Sequence, residues 1–517
     1  MSEVADPRML PDDGLGQSSM AEDLPGSGSA PAFAGAAETH VAAIFFAGER
    51  VYKLKKPVDL GFLDFRDPAA REWACRREYE LNRRLAPDVY LDVAEVRGQG
   101  GDVHDHVVVM RRMPAERSLA ALVRAGRVDT GDLREIARQL AGLHGSAPRS
   151  PEISGGTRQE LLDKWDADLR DLEPFTGAVL DRDKVAELAG LARSFLRGRG
   201  PLLQQRVDEG RVVDGHGDLL GEDVFCLDDG PRLLDCVEFD DQLRHVDGVD
   251  DAACLAMDLH HRGAPQLADE FLARYREFTA DPAPVSLLHH YVAYRALVRT
   301  KVACLKDGED RSGAAQDAQQ HLELALDRAR LARVRAVLVG GLPGTGKSTL
   351  AAELADRLGA CLVASDRVRT ELFGDAEPSA YGSGQFTAGN ADRVYGEVLD
   401  RAERLLARGE TVVLDASWTS ERHRRSAREA AERTCSELVA LQCTASEEVV
   451  RERLGSRTAT LSAADEGVAD AMAAEADAWD EALTVPTDQP DANKPDATQR
   501  ALDAISGPSA PPQERRT

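Results

Sequence analysis

The sequence feature that most constrains the fold is the octapeptide GLPGTGKS at residues 341–348. It matches the pattern G-x-x-x-x-G-K-[ST], follows the apolar run AVLVG and precedes TLAAELADRL, which has a helical pattern. Glycines in such a loop let successive backbone N–H groups wrap around a phosphate, and the following helix adds the positive end of its dipole. This order of strand, loop and helix predicts an α/β domain with a phosphate-binding loop.

Residues of this loop have predicted roles in binding ATP and Mg²⁺. The Lys347 ammonium should reach the β- and γ-phosphates, and the Ser348 hydroxyl should bind Mg²⁺. The residues predicted to surround the nucleotide are Gly341, Gly344, Thr345, Gly346, Lys347, Ser348 and Thr349. The alternative, a glycine-rich turn without a ligand, is disfavoured by the complete motif in its strand–helix context.

Charged residues after the loop are candidates for the chemistry of phosphoryl transfer. Asp415 ends the apolar run TVVLD. It is either a second carboxylate that holds Mg²⁺ or a helix cap at the end of a strand. Asp366, in CLVASDRVRTEL, is either the base for the acceptor hydroxyl or a cap of the next helix. Arg453 is a candidate clamp on phosphoryl oxygens, although arginines on an exposed helix are usually just solvated.

A second group of carboxylates surrounds the tripeptide HGD at residues 216–218. Asp218 precedes, and Asp235 follows, two short apolar runs joined by DDG at 228–230, a strong hairpin signal. One carboxylate can orient or deprotonate a hydroxyl while the other holds Mg²⁺ on ATP. An acidic surface loop is the alternative. A kinase site is favoured by the further acids Asp223, Glu238, Asp247 and Asp251.

This segment resembles the H-G-D-x-x-x-x-N loop and the I-D metal strand of the aminoglycoside-phosphotransferase and choline-kinase superfamily. The resemblance implies that Asp218 is the catalytic carboxylate and that Asp223 and Asp235 bind Mg²⁺. Upstream, VYKLKKP resembles the lysine strand of that superfamily. It implies that Lys53, or alternatively Lys55, pairs with the nucleotide phosphates, with Glu78 in CRREYELNRRL as its partner.

Two positions depart from the superfamily pattern. Asp223 replaces the metal-binding Asn of the superfamily loop. Leu220 stands where bacterial proteins that fuse such a domain to a P-loop kinase domain often have His. A carboxylate binds Mg²⁺ as well as an amide does, but it adds negative charge beside the phosphates. This domain is therefore either an active kinase or a weakened sensor that regulates the following P-loop kinase or ATPase.

Residues 331–483 resemble P-loop kinases of the zeta-toxin and gluconate-kinase type, on the motifs GLPGTGKSTLA, SDRVR, YGSGQF and VVLDAS. The resemblance implies that Asp366 activates the acceptor, and Arg369, three residues on, is placed to hold a polar group of that acceptor. From about Glu38 to Leu483 the chain resembles bacterial fusions of the two kinase domains. A guanine-reading N-K-x-D pattern at 493–496 lies in a polar segment without a preceding strand, and we reject it.

Composition along the chain predicts two domains between polar tails. The predicted fold class is an α+β protein-kinase-like domain, with a small β-rich lobe and a helical lobe, followed by an α/β P-loop domain with a parallel sheet. The predicted parts are a disordered tail at 1–37, the small lobe at about 38–115, the helical lobe at about 116–331, the P-loop domain at 332–483 and a disordered tail at 484–517.

Overall composition limits the partners. The 90 acidic and 64 basic side chains give a net charge of −26, which argues against a nucleic-acid partner. The eight cysteines form no C-x-x-C pair, and neither a signal peptide nor a membrane span is recognisable, so we expect a cytoplasmic protein without a membrane partner. The predicted function is ATP- and Mg²⁺-dependent phosphoryl transfer to hydroxyl groups of small molecules. The sequence leaves the acceptors and the oligomeric state open.

Overall fold

The computed structural model describes most of the chain in two compact units. The first unit takes residues up to 193 together with 203–283 and 287–332, and the second takes 194–202, 284–286 and the residues from 333 on. The described residues are 35–38, 41–59, 64–149, 153, 155–305, 311–374, 382, 384–455, 466–488 and 496–506.

The strands form one antiparallel sheet, one parallel sheet and two small pairs. They are β1 (Gly35–Glu38), β2 (Ala42–Ala47), β3 (Arg50–Lys55), β4 (Tyr90–Arg97), β5 (Val103–Arg111), β6 (Val212–Asp214), β7 (Val224–Leu227), β8 (Gly230–Leu233), β9 (His245–Asp247), β10 (Arg335–Gly340), β11 (Cys361–Ala364), β12 (Val412–Asp415), β13 (Glu437–Thr444) and β14 (Leu483–Pro486).

The helices of the described residues include none that is both long enough and apolar enough to cross a membrane. They are α1 (Pro68–Asn82), α2 (Leu119–Arg124), α3 (Thr130–Ser146), α4 (Arg158–Asp171), α5 (Arg182–Gly198), α6 (Gly200–Asp208), α7 (Gly248–His261), α8 (Pro265–Thr279), α9 (Val285–Leu305), α10 (Arg311–Leu331), α11 (Lys347–Leu358), α12 (Ser365–Phe373), α13 (Ala388–Ala407), α14 (Glu421–Arg433), α15 (Glu447–Gly455), α16 (Glu466–Glu475) and α17 (Ala497–Ser506). Short 3₁₀ turns lie at Ala115–Arg117, Glu173–Phe175, Asp241–Leu243 and Gly384–Phe386.

The first unit begins with an antiparallel sheet in the order β1-β2-β3-β5-β4. The predicted pair of strands around an Ala-Gly-Glu turn is confirmed as β2 and β3. Side chains alternate between the faces of a strand, so Val51, Lys53 and Lys55 share the buried face of β3. Two lysines thus point into the same interior as the apolar core, and they require partners of opposite charge.

The partner helix of this sheet is α1, which starts where its sequence predicts. The Asp67 carboxylate accepts a hydrogen bond from the N–H of Ala69, and Pro68 occupies the first turn, where its missing N–H costs nothing. The buried face of α1 carries Cys75 and Glu78. This packing brings Glu78 towards the lysine face of β3.

Mostly helical structure follows the sheet in the first unit, together with two small strand pairs. The predicted hairpin is confirmed, because β7 and β8 are antiparallel and Leu227 faces Gly230 across the turn. Helix α7 is buried from Gly248 to Leu259, including three aspartates. Buried carboxylates of this kind need hydrogen-bond partners, and they find them in the loops at the candidate site.

The second unit has a parallel five-stranded sheet in the order β11-β12-β10-β13-β14. The phosphate-loop motif connects the central strand β10 to α11. Carboxyl ends of parallel strands meet at one edge of a sheet, so the ends of β10, β11 and β12 converge there. The predicted fold class is confirmed for both parts of the chain.

The predicted C-terminal tail at 484–517 is wrong in two stretches. Residues 483–486 form β14, which pairs with β13 and buries Val485 completely. Residues 497–506 form α17, whose Ala501 and Ile505 join the apolar core of the sheet. Only a few apolar residues mark these elements, and packing against a large domain stabilises what local propensity does not. At the other end, β1 begins at Gly35, inside the predicted tail at 1–37.

We predict that Ile505→Ala destabilises the second unit by about 2–5 kcal/mol, because it leaves a cavity under α17. Ile505 is 1% exposed. The measurement is the urea unfolding of the full chain, with Asp503→Ala on the exposed side of α17 as the control, for which we expect a change within about 0.5 kcal/mol. Equal effects of the two substitutions would contradict the packing of α17.

Candidate active sites

Glu78 lies between two buried lysines in the first unit. Its two carboxylate oxygens are 2.9 Å from Lys53 Nζ and 2.7 Å from Lys55 Nζ. Burial alone would raise the pKa of Glu78, but the two ammonium groups lower it to about 2. The prediction left Lys53 and Lys55 as alternatives, and the structure places both on this carboxylate.

The same two lysines contact the segment that follows the β7–β8 hairpin. Lys53 Nζ lies 2.7 Å from the Asp235 carboxylate, and Lys55 Nζ lies 2.5 Å from Glu238. Asp235 has a φ of 63°, and its N–H donates a hydrogen bond to the Tyr90 hydroxyl. Lys53 therefore lies beside Asp235, the predicted metal ligand, whereas Lys55 forms an ion pair with Glu238 three residues further along the chain.

Asp251 on α7 holds the HGD loop in place through backbone hydrogen bonds. Its carboxylate accepts from the N–H of His216 at 2.7 Å and of Gly217 at 2.8 Å, and His144 Nε2 lies 2.8 Å away. Burial would raise the pKa of Asp251, but the contact with His144 holds it well below its usual range. Gly217 has a φ of 95°, and a Cβ there would lie 3.0 Å from Val237, so the loop requires glycine.

Asp218 projects from this loop between two side chains that the sequence analysis did not single out. The Cys254 thiol donates to one carboxylate oxygen at 3.3 Å, and Arg299 Nη1 lies 3.5 Å from the other. The Asp218 side chain is 28% exposed, whereas that of Arg299 is 9% exposed. The Asp218 carboxylate is thus held by Cys254 and Arg299 and remains partly exposed to solvent.

Asp223 and Asp235 approach one another across the hairpin, where the Leu234 N–H donates to the Asp223 carbonyl at 2.9 Å. Burial raises the pKa of Asp223 well above its ordinary value, and the negative charges of Asp235 and Asp218 raise it further. Carboxylates that repel one another in this way fit a divalent cation, and oxygen donors suit Mg²⁺. The predicted ligands Asp223 and Asp235 therefore meet the requirements of a magnesium site.

The phosphate loop of the second unit has the backbone that its glycines predict. Gly341, Gly344 and Gly346 have φ values of 143°, 85° and 80°. A Cβ on Gly341 would lie 2.6 Å from Thr345 Oγ1 and 2.7 Å from the Cys443 carbonyl. Helix α11 begins directly after this loop without a side-chain cap, which leaves its first N–H groups for an anion.

Asp415 ends β12 opposite the start of α11. Burial raises its pKa, against the opposite effects of the Lys347 charge and of a hydrogen bond with Ser348. Asp415 is 8% exposed, and its Oδ1 has no hydrogen-bond partner among the described residues. An unsatisfied buried carboxylate oxygen beside a serine hydroxyl fits Mg²⁺, as the sequence analysis predicted for Ser348 and Asp415.

Arg453 lies against the phosphate loop and contacts Thr487. Its guanidinium lies 3.3 Å from the Gly344 carbonyl and 2.7 Å from the Thr487 carbonyl. The Thr487 hydroxyl donates to the Thr345 carbonyl at 2.6 Å. Arg453, predicted to contact the nucleotide, thus also braces the loop that would hold it, whereas Thr349 on α11 is exposed.

A cavity of about 330 Å³ opens beside the phosphate loop and is lined by Lys347, Asp366 and Arg369. Asp366 lies in the first turn of α12, whose N-cap is Ala364 and which has no side-chain cap hydrogen bond. The alternative role of Asp366 as a helix cap therefore has no support in the geometry. Arg369 donates to the Gln385 carbonyl at 3.0 Å, and its Nε is buried without a hydrogen-bond partner in the described part of the chain.

The lining of the cavity also includes a polar cluster that was not predicted from the sequence. Asp392 accepts from Arg422 at 2.9 Å and lies 3.0 Å from His423 Nε2. The His423 ring stacks on Tyr395 at 3.9 Å, and the Tyr395 hydroxyl lies 3.0 Å from Ser417 Oγ. These residues come from α13, α14 and the loop after β12, so no local motif marks them.

We predict that Glu78→Gln destabilises the first unit by about 3–5 kcal/mol at neutral pH, because it leaves two buried ammonium groups without their shared carboxylate. The Glu78 pKa is about 2 in the folded chain against an ordinary 4.5, so its contribution is present above pH 4.5 and is lost as the pH falls from 4.5 towards 2. Urea unfolding of both proteins at several pH values measures the difference.

The matched control for this prediction is Glu80→Gln, on the exposed side of the same helix. We expect it to change stability by less than about 0.5 kcal/mol. A Glu78→Gln effect that stayed constant through this pH window would show that the contribution of Glu78 is not ionic.

Known proteins are similar to this chain at the level of domains. The family model described as "AAA domain" matches residues 337–479. A choline/ethanolamine kinase family protein from Mesorhizobium loti is 17% identical, covers 59% of this chain and 93% of its own, and has a TM-score of 0.38. A gluconokinase from Sinorhizobium meliloti is 20% identical, covers 34% of this chain and 91% of its own, and has a TM-score of 0.25. The family match lies within the second unit and begins just before the phosphate loop.

Similarity over nearly the whole chain comes from mycobacterial proteins. "Uncharacterized protein Rv2004c" of Mycobacterium tuberculosis is 41% identical over 458 residues, which cover 88% of this chain and 92% of that protein. "Uncharacterized protein Mb2027c" of Mycobacterium bovis matches with the same identity and coverage. The alignment spans too much of both chains to come from one shared domain. The chain therefore belongs to the same family as these mycobacterial proteins.

Proposed function

We propose that the chain is a phosphotransferase with two separate ATP sites, each of which transfers the γ-phosphate to a hydroxyl group of a small molecule. The observation that carries the proposal is that each unit combines a cation placed to bind phosphate, at least one carboxylate suited to Mg²⁺ and a further carboxylate placed to meet an acceptor. When bound, Mg²⁺ would neutralise charge on the nucleotide phosphates at both sites. The unpaired thiols of all eight cysteines fit the reducing cytoplasm, where ATP is plentiful.

In the first unit, the proposed roles follow from the contacts around Lys53. Its ammonium, fixed by Glu78, would pair with nucleotide phosphates, and Asp223 and Asp235 would hold the metal. Asp218 would accept the proton of the acceptor hydroxyl as that oxygen bonds to the γ-phosphorus and ADP leaves. Arg299 and Asp251 act as positioning residues, because they hold the Asp218 side chain and the loop backbone.

In the second unit, the proposed reaction takes place where the cavity meets the phosphate loop. Lys347 would bind the β- and γ-phosphates, and Ser348 and Asp415 would hold the metal. The acceptor would occupy the cavity, with Asp366 as the base that takes its hydroxyl proton. Arg369 and the wall formed by Asp392, Arg422 and His423 offer both hydrogen-bond donors and acceptors, which suits a small polar molecule with several oxygen atoms.

A second candidate function for the first unit is nucleotide or metabolite sensing without turnover. It is favoured by Asp223, whose pKa is raised by burial and raised further by the negative charges of Asp235 and Asp218. A sensor of this kind would bind Mg²⁺-ATP and leave phosphoryl transfer to the P-loop unit. The test is whether the full chain still phosphorylates any acceptor once Lys347 is replaced.

We predict that Lys347→Ala lowers transfer at the second site about 10²–10³-fold, because a positioned cation on the transferred phosphate is lost. Transfer that depends on Asp218 should remain. The measurement is ADP release by the full chain over a panel of hydroxyl-bearing metabolites, with Arg357→Ala on the exposed side of α11 as the control. Loss of every ATP-dependent activity in the Lys347→Ala protein would contradict two independent catalytic sites and favour the sensor.

We further predict that Asp366→Asn folds normally and binds ATP but transfers phosphate about 10²–10⁴-fold more slowly. The substitution removes the proton acceptor and disturbs no capping hydrogen bond. Glu371→Gln, an exposed carboxylate on the same helix, is the control and should keep near-normal turnover. Calorimetric ATP binding and single-turnover transfer separate the two effects, and near-normal transfer by Asp366→Asn would refute its role as the base.

A further inference from the structure

Two histidines and an aspartate meet where α7 and α10 pack together in the first unit. His261 lies at the C-terminal end of α7, and Asp317 and His321 lie one turn apart on α10. His261 Nε2 is 3.1 Å from Asp317 Oδ1, and His321 Nδ1 is 3.3 Å from the same oxygen. His321 is 5% exposed, and the other two side chains are partly buried. None of the three takes part in the proposed phosphoryl transfer.

The spacing of these groups matches the requirements of a metal ion. One donor atom from each residue can be chosen so that all three lie within 4.8 Å of one another. Bonds of about 2.0–2.2 Å in a tetrahedral arrangement place neighbouring donor atoms roughly 3.3–3.6 Å apart. The observed 3.1 and 3.3 Å separations are close to that range, so the donor atoms already lie near the distances that one ion requires.

The two imidazole rings of the cluster lie face to face. The imidazoles of His261 and His321 are stacked, with centroids 3.7 Å apart and planes at 13°. A metal ion lies near the plane of each imidazole that it binds, so both rings would turn out of this stack on binding. The Asp317 carboxylate beside both rings supplies the negative charge that a cation requires.

We propose that His261, Asp317 and His321 form a site for one divalent transition-metal ion of the Zn²⁺ type, with solvent in the remaining position. Two imidazoles and one carboxylate suit Zn²⁺, Co²⁺ or Ni²⁺, whereas Mg²⁺ prefers oxygen donors. His321 Nδ1 also lies 3.0 Å from the Asp317 carbonyl, so coordination through this nitrogen would replace that contact. The ion would link α10 to α7, the helix whose Asp251 holds the HGD loop.

The test is a titration of the chelator-treated full chain with Co²⁺, which reports nitrogen and oxygen ligation through its visible absorption, followed by displacement with Zn²⁺. We expect the unmodified chain to bind one ion more per molecule than either His321→Ala or His261→Ala. Both variants keep all eight cysteines, so binding by thiols cancels in the comparison. His104→Ala, which removes an exposed histidine of β5, should bind like the unmodified chain.

A thermal measurement gives a second readout. Zn²⁺ should raise the melting temperature of the unmodified chain and of His104→Ala by more than it raises that of the two cluster variants. If the alanine variants do not fold, Asp317→Asn and His261→Gln, which keep size and polarity, take their place. Equal metal stoichiometry in the unmodified chain and in the folded cluster variants would overturn the proposal. A cobalt absorption spectrum that is the same in the unmodified chain and in the folded cluster variants would also overturn it.

Discussion

A carboxylate buried between two ammonium groups is the interaction on which the first unit depends. Glu78 on α1 contacts Lys53 and Lys55 on β3, and these lysines contact Asp235 and Glu238 after the hairpin. The charges of Lys53, Lys55 and Glu78 are buried, and their partners of opposite charge offset the cost of that burial, so the three segments must come together correctly. The same contacts place the Lys53 ammonium beside the predicted metal ligand Asp235. The ion pairs that the fold requires are therefore also the ones that the proposed phosphoryl transfer requires.

The phosphate loop of the second unit is shaped mainly by its backbone rather than by buried ion pairs. The loop glycines have positive φ values, and Arg453 and Thr487 form hydrogen bonds to carbonyls of the loop. Asp415 keeps one buried oxygen without a partner in the described chain, an unfavourable state that a bound cation would relieve. A ligand is expected at such a site, because its binding would supply the interaction that the buried oxygen lacks.

Local patterns in the sequence predicted much of the site, and long-range packing accounts for the rest. The phosphate loop, the β7–β8 hairpin and the lysine strand are each encoded within a few neighbouring residues, so their elements could be read from the sequence. Residues such as Arg299 and His423 come from distant helices and carry no motif. Helix α17 was missed because three or four apolar positions in a polar segment do not predict a helix until a sheet is there to bury them.

We infer that one chain carries two independent nucleotide sites. Calorimetry can test this through the stoichiometry with which a non-hydrolysable ATP analogue binds the full chain in the presence of Mg²⁺. We expect two nucleotides per chain, falling to one when Lys347 is replaced by alanine and likewise to one when Lys53 is replaced by methionine. Binding of only one nucleotide per unmodified chain would contradict two independent sites. Loss of all nucleotide binding on either substitution alone would also contradict them.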